Sequence, residues 1–103
     1  MKALKIQVIE YIDDWNPGWV KCEFKDVHGK TWSFIEKVPV VSIEALDSKS
    51  NYPIETYIEC EVISQSSNVV TINLEKPLGI IAEDQTIFDV FEDQIINSIK
   101  RRR

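Results

Sequence analysis

The chain has 103 residues, enough for one domain with its own core, and its 44% share of hydrophobic residues is that of a globular protein. Its net charge is −5 although three arginines, Arg101, Arg102 and Arg103, stand at its end, so the remainder carries −8. Such a body repels a phosphate backbone, and we therefore expect no nucleic acid as its partner and a basic protein as the easier one.

The chain shows neither of the usual sequence signals for membrane insertion or export. No apolar run approaches the roughly 20 residues that a membrane helix needs. The first residues, Met1 to Lys5, lack the apolar stretch of a secretory signal peptide. We therefore expect a cytoplasmic protein with no membrane partner.

The first predicted strand covers residues 3–12 and is followed by a turn. Its alternating apolar side chains are predicted to share the buried face: Leu4, Ile6, Val8 and Ile12. The pattern stops at Asp13. Pro17-Gly18 then predicts a type II turn, because proline fixes φ at the second turn position and glycine supplies the positive φ of the third.

The next two strands, over residues 19–27 and 31–37, form a predicted hairpin around the turn His28-Gly29. Their inward-facing side chains are predicted to be Val20, Cys22, Phe24, Trp32 and Phe34. Pro39 cannot donate to a sheet ladder and therefore marks an edge, a kink or the end of the second of these strands. Residues 42–55 carry little periodicity and are predicted to form an ordered crossover loop.

Three more strands are predicted over residues 56–64, 69–75 and 86–92. The first of them alternates most clearly, with apolar side chains on the face opposite Glu59 and Glu61. The inward-facing side chains of the first two strands are predicted to be Ile58, Cys60, Val62, Val70, Ile72 and Leu74. A short helix over residues 93–99 is an alternative for the C-terminal segment, because its isoleucines then fall on one side.

About six short strands separated by turns predict a mainly β protein. A small antiparallel β-barrel is the favoured architecture, because closing the sheet removes exposed edges, and a β-sandwich is the alternative. We expect one domain over residues 1–99, followed by a basic C-terminal tail over residues 100–103.

The two cysteines, Cys22 and Cys60, both lie among alternating apolar residues. In a reducing compartment this pattern favours two buried thiols, with a disulfide as the alternative. Two widely spaced cysteines and one histidine do not form a zinc ligand set, so we expect no metal and no cofactor.

Two blocks of the chain resemble segments of a known group of proteins. The stretch from Gly18 to Val41, GWVKCEFKDVHGKTWSFIEKVPVV, is similar to a segment of small bacterial proteins of unknown function, and Tyr57 to Val62, YIECEV, is similar to a second block in them. Together they cover about a third of the chain. The resemblance implies a compact β domain and carries over no catalytic or binding residue.

Catalytic residue sets are not apparent in the sequence. His28, the only histidine, falls in a predicted turn, so a serine or cysteine nucleophile lacks an obvious base. Acid–base catalysis by carboxylates needs two of them in contrasting environments. Glu59 and Glu61 instead share a face predicted to be solvated, where Lys21 and Lys25 would pair with them if their strands are adjacent. We therefore expect no enzyme.

The candidate binding residues are Asp13, Asp14, Trp15 and Trp19, around the turn that follows the first strand. An exposed tryptophan beside carboxylates suits a cationic partner, whereas a tryptophan folded back over the core would be a structural plug, which is the arrangement we favour for Trp15.

The favoured functional hypothesis is a non-enzymatic protein-interaction module that binds or inhibits a basic protein. The alternatives are a small-ligand or carbohydrate-binding barrel whose pocket uses Trp15, Trp19 or Trp32, and a carboxylate-based enzyme.

Overall fold

A computed structural model describes residues 1–42 and 44–97, and confirms that the chain is mainly β. The described residues form seven strands, one short α-helical turn and one 3₁₀ turn. In chain order these are β1 (Lys2–Asp13), β2 (Trp19–Lys25), β3 (Thr31–Lys37), α1 (Val38–Val41), β4 (Ile54–Ser66), β5 (Val69–Asn73), β6 (Ile87–Phe91), the 3₁₀ turn (Glu92–Gln94) and β7 (Ile95–Asn97).

One antiparallel sheet contains all seven strands, in the order β3-β2-β1-β4-β5-β6, with β7 paired to β1. The sheet curls until its two ends approach each other. The N–H of Val27, after β2, donates a hydrogen bond of 2.9 Å to the carbonyl of Asp89 in β6. The ring of Phe88 packs edge-on against Phe24 and Trp32, with centroids 5.1 and 4.9 Å apart. This curled single sheet is the predicted small β-barrel rather than a sandwich.

The core consists of the inward-facing side chains of this curled sheet. Ile58 and Cys60 are buried whereas Glu61 is exposed, so the predicted register of β4 is confirmed. Trp32 and Val62, which were expected inside, are only partly buried and pack against the edge of the core. The other predicted inward residues of β2 to β5 are buried: Val20, Cys22, Phe24, Phe34, Val70, Ile72 and, just after β5, Leu74.

Two bulges in β1 overturn the prediction that Ile12 is buried. Pairing with β2 shifts between Val8 and Glu10, and again between Tyr11 and Asp13, so β1 gains an extra residue at each place. Each extra residue changes which side chains point inward. Tyr11 therefore lies opposite Val20 and packs against the core, and Ile12 is 45% exposed.

The alternative of a C-terminal helix is wrong over the residues that the structure describes. Ile95–Asn97 forms β7, which pairs with Lys2–Leu4 of β1. β2 pairs with β1 from Gln7 onward, so the first residues of β1 would have an unpaired edge without β7. As a strand, Ile95–Asn97 forms hydrogen bonds with the backbone groups of that edge, whereas a helix would leave those groups unpaired. Ser98, Ile99 and the tail over residues 100–103 lie outside the described residues.

The connection from β3 to β4 contains the predicted loop, and a helical turn comes before it. Pro39 lies inside α1, at the start of the turn, where its missing N–H costs no helical hydrogen bond. Ser42 ends this turn, and its N–H donates to the carbonyl of Val38. Within the loop, the hydroxyl of Tyr52 donates to the carbonyl of Asp47 at 2.7 Å, which orders the crossover.

Both cysteines are free and buried, as predicted. Cys22 lies in β2 and Cys60 in β4, and β1 separates these two strands. Burial raises the pKa of the Cys22 thiol to about 12, with a further contribution from the charge of Glu36, and raises that of Cys60 to about 11.

Candidate protein-binding site

An open groove with a volume of about 350 Å³ crosses the outer face of β1, β2 and β3 near the turn after β1. Its lining residues are Ile12, Asp13, Trp15, Trp19 and Ile35, and we refer to it as the tryptophan groove. The structure thus brings together three of the four predicted site residues. The fourth, Asp14, is exposed in the same turn and does not line the groove.

The turn that carries Trp15 is held by two hydrogen bonds, one to a side chain and one within the backbone. Asp13 Oδ1 accepts a hydrogen bond of 2.7 Å from the N–H of Trp15, and the N–H of Gly18 donates to the Trp15 carbonyl at 2.7 Å. This second hydrogen bond closes a turn with Asn16 and Pro17 at its centre, so the type II turn predicted with Pro17 and Gly18 at the centre is wrong. Gly18 still has a positive φ, +100°, and a Cβ at this position would lie 2.9 Å from the hydroxyl of Tyr11. Only glycine fits this position without strain.

The side chain of Trp15 points away from the core and is 76% exposed. The interpretation of Trp15 as a plug is therefore wrong. The indole stands in solvent on a turn whose backbone is fixed by two hydrogen bonds. A large apolar side chain in this position has surface available for a partner, and little backbone entropy is lost when it is covered.

Two isoleucines complete the groove, and neither was predicted to be a site residue. Ile35 is 56% exposed on the outer face of β3, and Ile12 is the extra residue of the second bulge in β1. A signal for Ile12 exists in the sequence. The apolar pairs Val8-Ile9 and Tyr11-Ile12 interrupt strict alternation, as expected where a strand changes face.

Charge is distributed unevenly around the groove. At the turn, partial burial raises the pKa of Tyr11, and the carboxylates of Asp14, Asp47 and Asp13 raise it further because they oppose a second negative charge. On β3, at the residue paired with Trp19, Lys37 Nζ lies 5.7 Å from the centre of the Trp19 ring. Asp13 is paired with Trp19 from β1, so a carboxylate and an ammonium group lie on the two sides of Trp19.

A second cavity of about 290 Å³ lies at the seam of the barrel and holds both aromatic and acidic side chains. Its lining residues are Asp26, His28, Trp32, Gln85, Ile87, Phe88 and Asp89. Asp26 accepts hydrogen bonds from the N–H groups of His28 and Lys30 and from Trp32 Nε1, at 2.8, 3.0 and 2.9 Å. Both oxygens of this carboxylate therefore accept hydrogen bonds from the hairpin that contains His28.

The same cavity offers little open aromatic surface for stacking. Lys30 Nζ lies 4.3 Å from the centre of the Trp32 ring and covers one face of it. Phe88 contacts Trp32 from another side. A sugar ring that stacked on Trp32 at the face occupied by Lys30 would first have to displace that lysine.

The charge pairing expected if β2 and β4 are adjacent does not apply, because β1 lies between them. Lys21 and Lys25 of β2 are therefore not direct cross-strand neighbours of Glu59 and Glu61. Among the residues that the structure describes, no three side chains of His, Cys, Asp or Glu are grouped so that they could hold a metal ion.

Comparisons of the chain with protein-family models, with curated proteins and with solved structures found no match. The resemblance of Gly18 to Val41 and Tyr57 to Val62 to small bacterial β proteins therefore stays an expectation. In the part of the chain that the structure describes, no helix is long and apolar enough to cross a membrane.

Proposed function

We propose that this domain is a non-enzymatic protein-interaction module that binds a basic protein through the tryptophan groove. The observation that carries the proposal is the 76% exposed Trp15 beside two exposed isoleucines. Scattered single apolar residues on a protein surface need no explanation, but a tryptophan grouped with them in one groove is typical of an interface centre.

The charge of the domain supports a cationic partner. The chain without its terminal arginines carries −8, and Asp13 and Asp14 stand at the turn end of the groove. Asp13 Oδ1 accepts the hydrogen bond that holds the turn, and Oδ2 takes no part in that hydrogen bond. Long-range attraction speeds the encounter, and burial of the indole then slows dissociation.

A cytoplasmic location and the absence of nucleic-acid binding belong to the same proposal. Two buried thiols that remain unpaired suit a reducing compartment. An acidic body disfavours DNA and RNA, and the tail Lys100 to Arg103 is the one basic cluster of the sequence.

The proposal is tested by affinity capture with three immobilised proteins: the wild type, Trp15→Ala and Ile63→Ala. Ile63 is 49% exposed on β4 and does not line the groove, so its variant is the matched control for loss of an exposed apolar side chain. We expect a basic protein that the wild type and the Ile63 variant retain and the Trp15 variant loses.

Binding of that purified protein is then measured by surface plasmon resonance at low and high salt. We expect Trp15→Ala to raise the dissociation rate at least about tenfold and salt to slow association. A captured protein that binds the Trp15 variant equally well, or whose binding does not depend on salt, would refute the proposal.

A further inference from the structure

Strand β3 ends the sheet, and one of its long edges lies beyond the ladder with β2. Residues of β3 that form hydrogen-bonded pairs with β2 direct their backbone groups towards β2, and the residues between them direct theirs towards the edge. At the hairpin end the N–H of Asp26 donates to the carbonyl of Lys30, and at the other end the N–H of Val38 donates to the carbonyl of Gly18. Because bonded and non-bonded pairs alternate, the backbone groups of Thr31, Ser33, Ile35 and Lys37 point away from β2.

Carboxylates occupy two of these edge donors. Glu83 Oε2 accepts from the N–H of Ser33 at 2.9 Å and lies 3.4 Å from its hydroxyl. Glu36 Oε1 accepts from the N–H of Lys37 at 3.1 Å. A carboxylate at such a donor takes the place that a neighbouring strand's carbonyl would occupy, and it brings a charge to the edge.

Glu83 reaches β3 from an unfavourable backbone conformation. Glu83 and Asp84 have φ +52° and +69° at the two central positions of a tight turn, which the reciprocal hydrogen bonds of Ala82 and Gln85 close. Glycine and asparagine are the usual residues there. Lys30 Nζ stands 3.8 Å from Glu83 Oε1, so the carboxylate contacts β3 and the hairpin together.

We propose that Glu83 closes the β3 edge against strand addition, and that the edge it protects is complementary to β3 of a second copy of this chain. This inference does not depend on the partner proposed for the tryptophan groove. It rests on the edge of β3 that faces away from β2 and on the side chains along it.

The second copy fits because β3 is self-complementary about Ile35. In an antiparallel pair centred there, Ile35 faces Ile35 and Ser33 faces Lys37, and all these residues present edge-directed backbone groups. The small Ser33 is the cross-strand neighbour of Glu23 on the outer face, within reach of the long lysine side chain from the other copy. Each half of the pair therefore combines the apolar contact between the two copies of Ile35 with an opposite-charge contact between Lys37 of one copy and Glu23 of the other.

The test compares the mass in solution of the wild type, Glu83→Ala and Asp84→Ala, by light scattering after size-exclusion chromatography over a range of concentrations. Asp84→Ala removes the same charge from the same turn at a residue with the same sign of φ, and is the matched control. We expect a dimer for Glu83→Ala, with a dissociation constant at least about tenfold below that of the wild type and of the control.

A second substitution identifies the interface. In Glu83→Ala/Ile35→Asp, two carboxylates would face each other across the symmetry axis, so we expect the monomer to return. Glu83→Gln keeps the shape of the side chain, so we expect it to dimerise more weakly than Glu83→Ala. It is the folded variant to use if Glu83→Ala unfolds. Folded variants of Glu83 that stay as monomeric as the wild type, or a dimer that persists with Ile35→Asp, would overturn the inference.

Discussion

Asp26 offers a direct test of how the β2–β3 hairpin is held together. Its carboxylate accepts hydrogen bonds from two backbone N–H groups of the turn, both on Oδ1, and from Trp32 Nε1 on Oδ2. Each such bond contributes about 1 kcal/mol net in a partly solvated place. We therefore expect Asp26→Ala to lower the free energy of unfolding by about 2–3 kcal/mol, a large part of the stability of a small domain.

The asparagine variant separates the charge from the hydrogen bonds. Asp26→Asn keeps an acceptor oxygen for the two backbone donors and places an NH₂ group opposite Trp32 Nε1, so we expect a smaller loss of about 1 kcal/mol. Urea unfolding followed by circular dichroism measures both values. Asp14→Ala, an exposed carboxylate in another turn, is the control and should change stability by less than about 0.5 kcal/mol.

The pH dependence of stability gives a further check on Asp26. Burial alone would raise the pKa of this carboxyl, but the hydrogen bonds from Trp32, Lys30 and His28 outweigh it and hold the pKa below its ordinary value. A carboxyl with a lowered pKa in the folded state stabilises the protein above its unfolded pKa of about 3.9, and this contribution disappears as the pH falls through the folded pKa. The wild type should thus lose more stability than Asp26→Asn on acidification below about pH 4. Equal stability of wild type and Asp26→Ala at pH 7 would refute the role of the carboxylate.

Three further predictions concern the core, the strained turn and the thiols. Phe34→Ala should cost about 3–5 kcal/mol in urea unfolding, because Phe34 is buried in the core, and a loss below about 1 kcal/mol would contradict that placement. Asp84→Gly should raise stability by about 0.5–1 kcal/mol and increase the melting temperature, because glycine adopts the positive φ of this residue without strain; a lower melting temperature would be contrary to this. Cys22 and Cys60, with pKa values of about 12 and 11, should react with a thiol reagent only as the protein unfolds, and rapid labelling of the native state would contradict their burial.

Local alternation was sufficient to predict most of the sheet. Ile58 and Cys60 alternate with Tyr57, Glu59 and Glu61, and a strand with one solvent-exposed face buries both. The positive φ of Gly18 and Gly29 was equally local, since glycine is the residue that adopts it at turns, whereas the turn before Trp19 closes one residue earlier than predicted.

Features that depend on distant pairing were not predictable in this way. Ile12 points outward because of the register between β1 and β2, and the apolar pairs within β1 indicate a change of face without showing which residue the partner strand leaves unpaired. Ile95–Asn97 became a strand because the start of β1 offered an edge about 90 residues away in sequence. The exposure of Trp15 likewise depends on how the turn leaves the sheet, and composition around the residue does not determine it.

The three tryptophans occupy three environments, and this makes the protein its own fluorescent reporter. Trp15 is 76% exposed, Trp19 is partly buried under Lys37, and Trp32 is partly buried against Phe88 with its indole N–H bound to Asp26. A dissolved quencher reaches Trp15 first, and the carboxylates of Asp13 and Asp14 concentrate cations there. With each ion compared with its effect on free tryptophan, caesium should accordingly quench the red-edge emission more efficiently than iodide at low ionic strength, with the difference shrinking as salt is added. Occupation of the groove can then be followed in the unlabelled protein as protection of that emission.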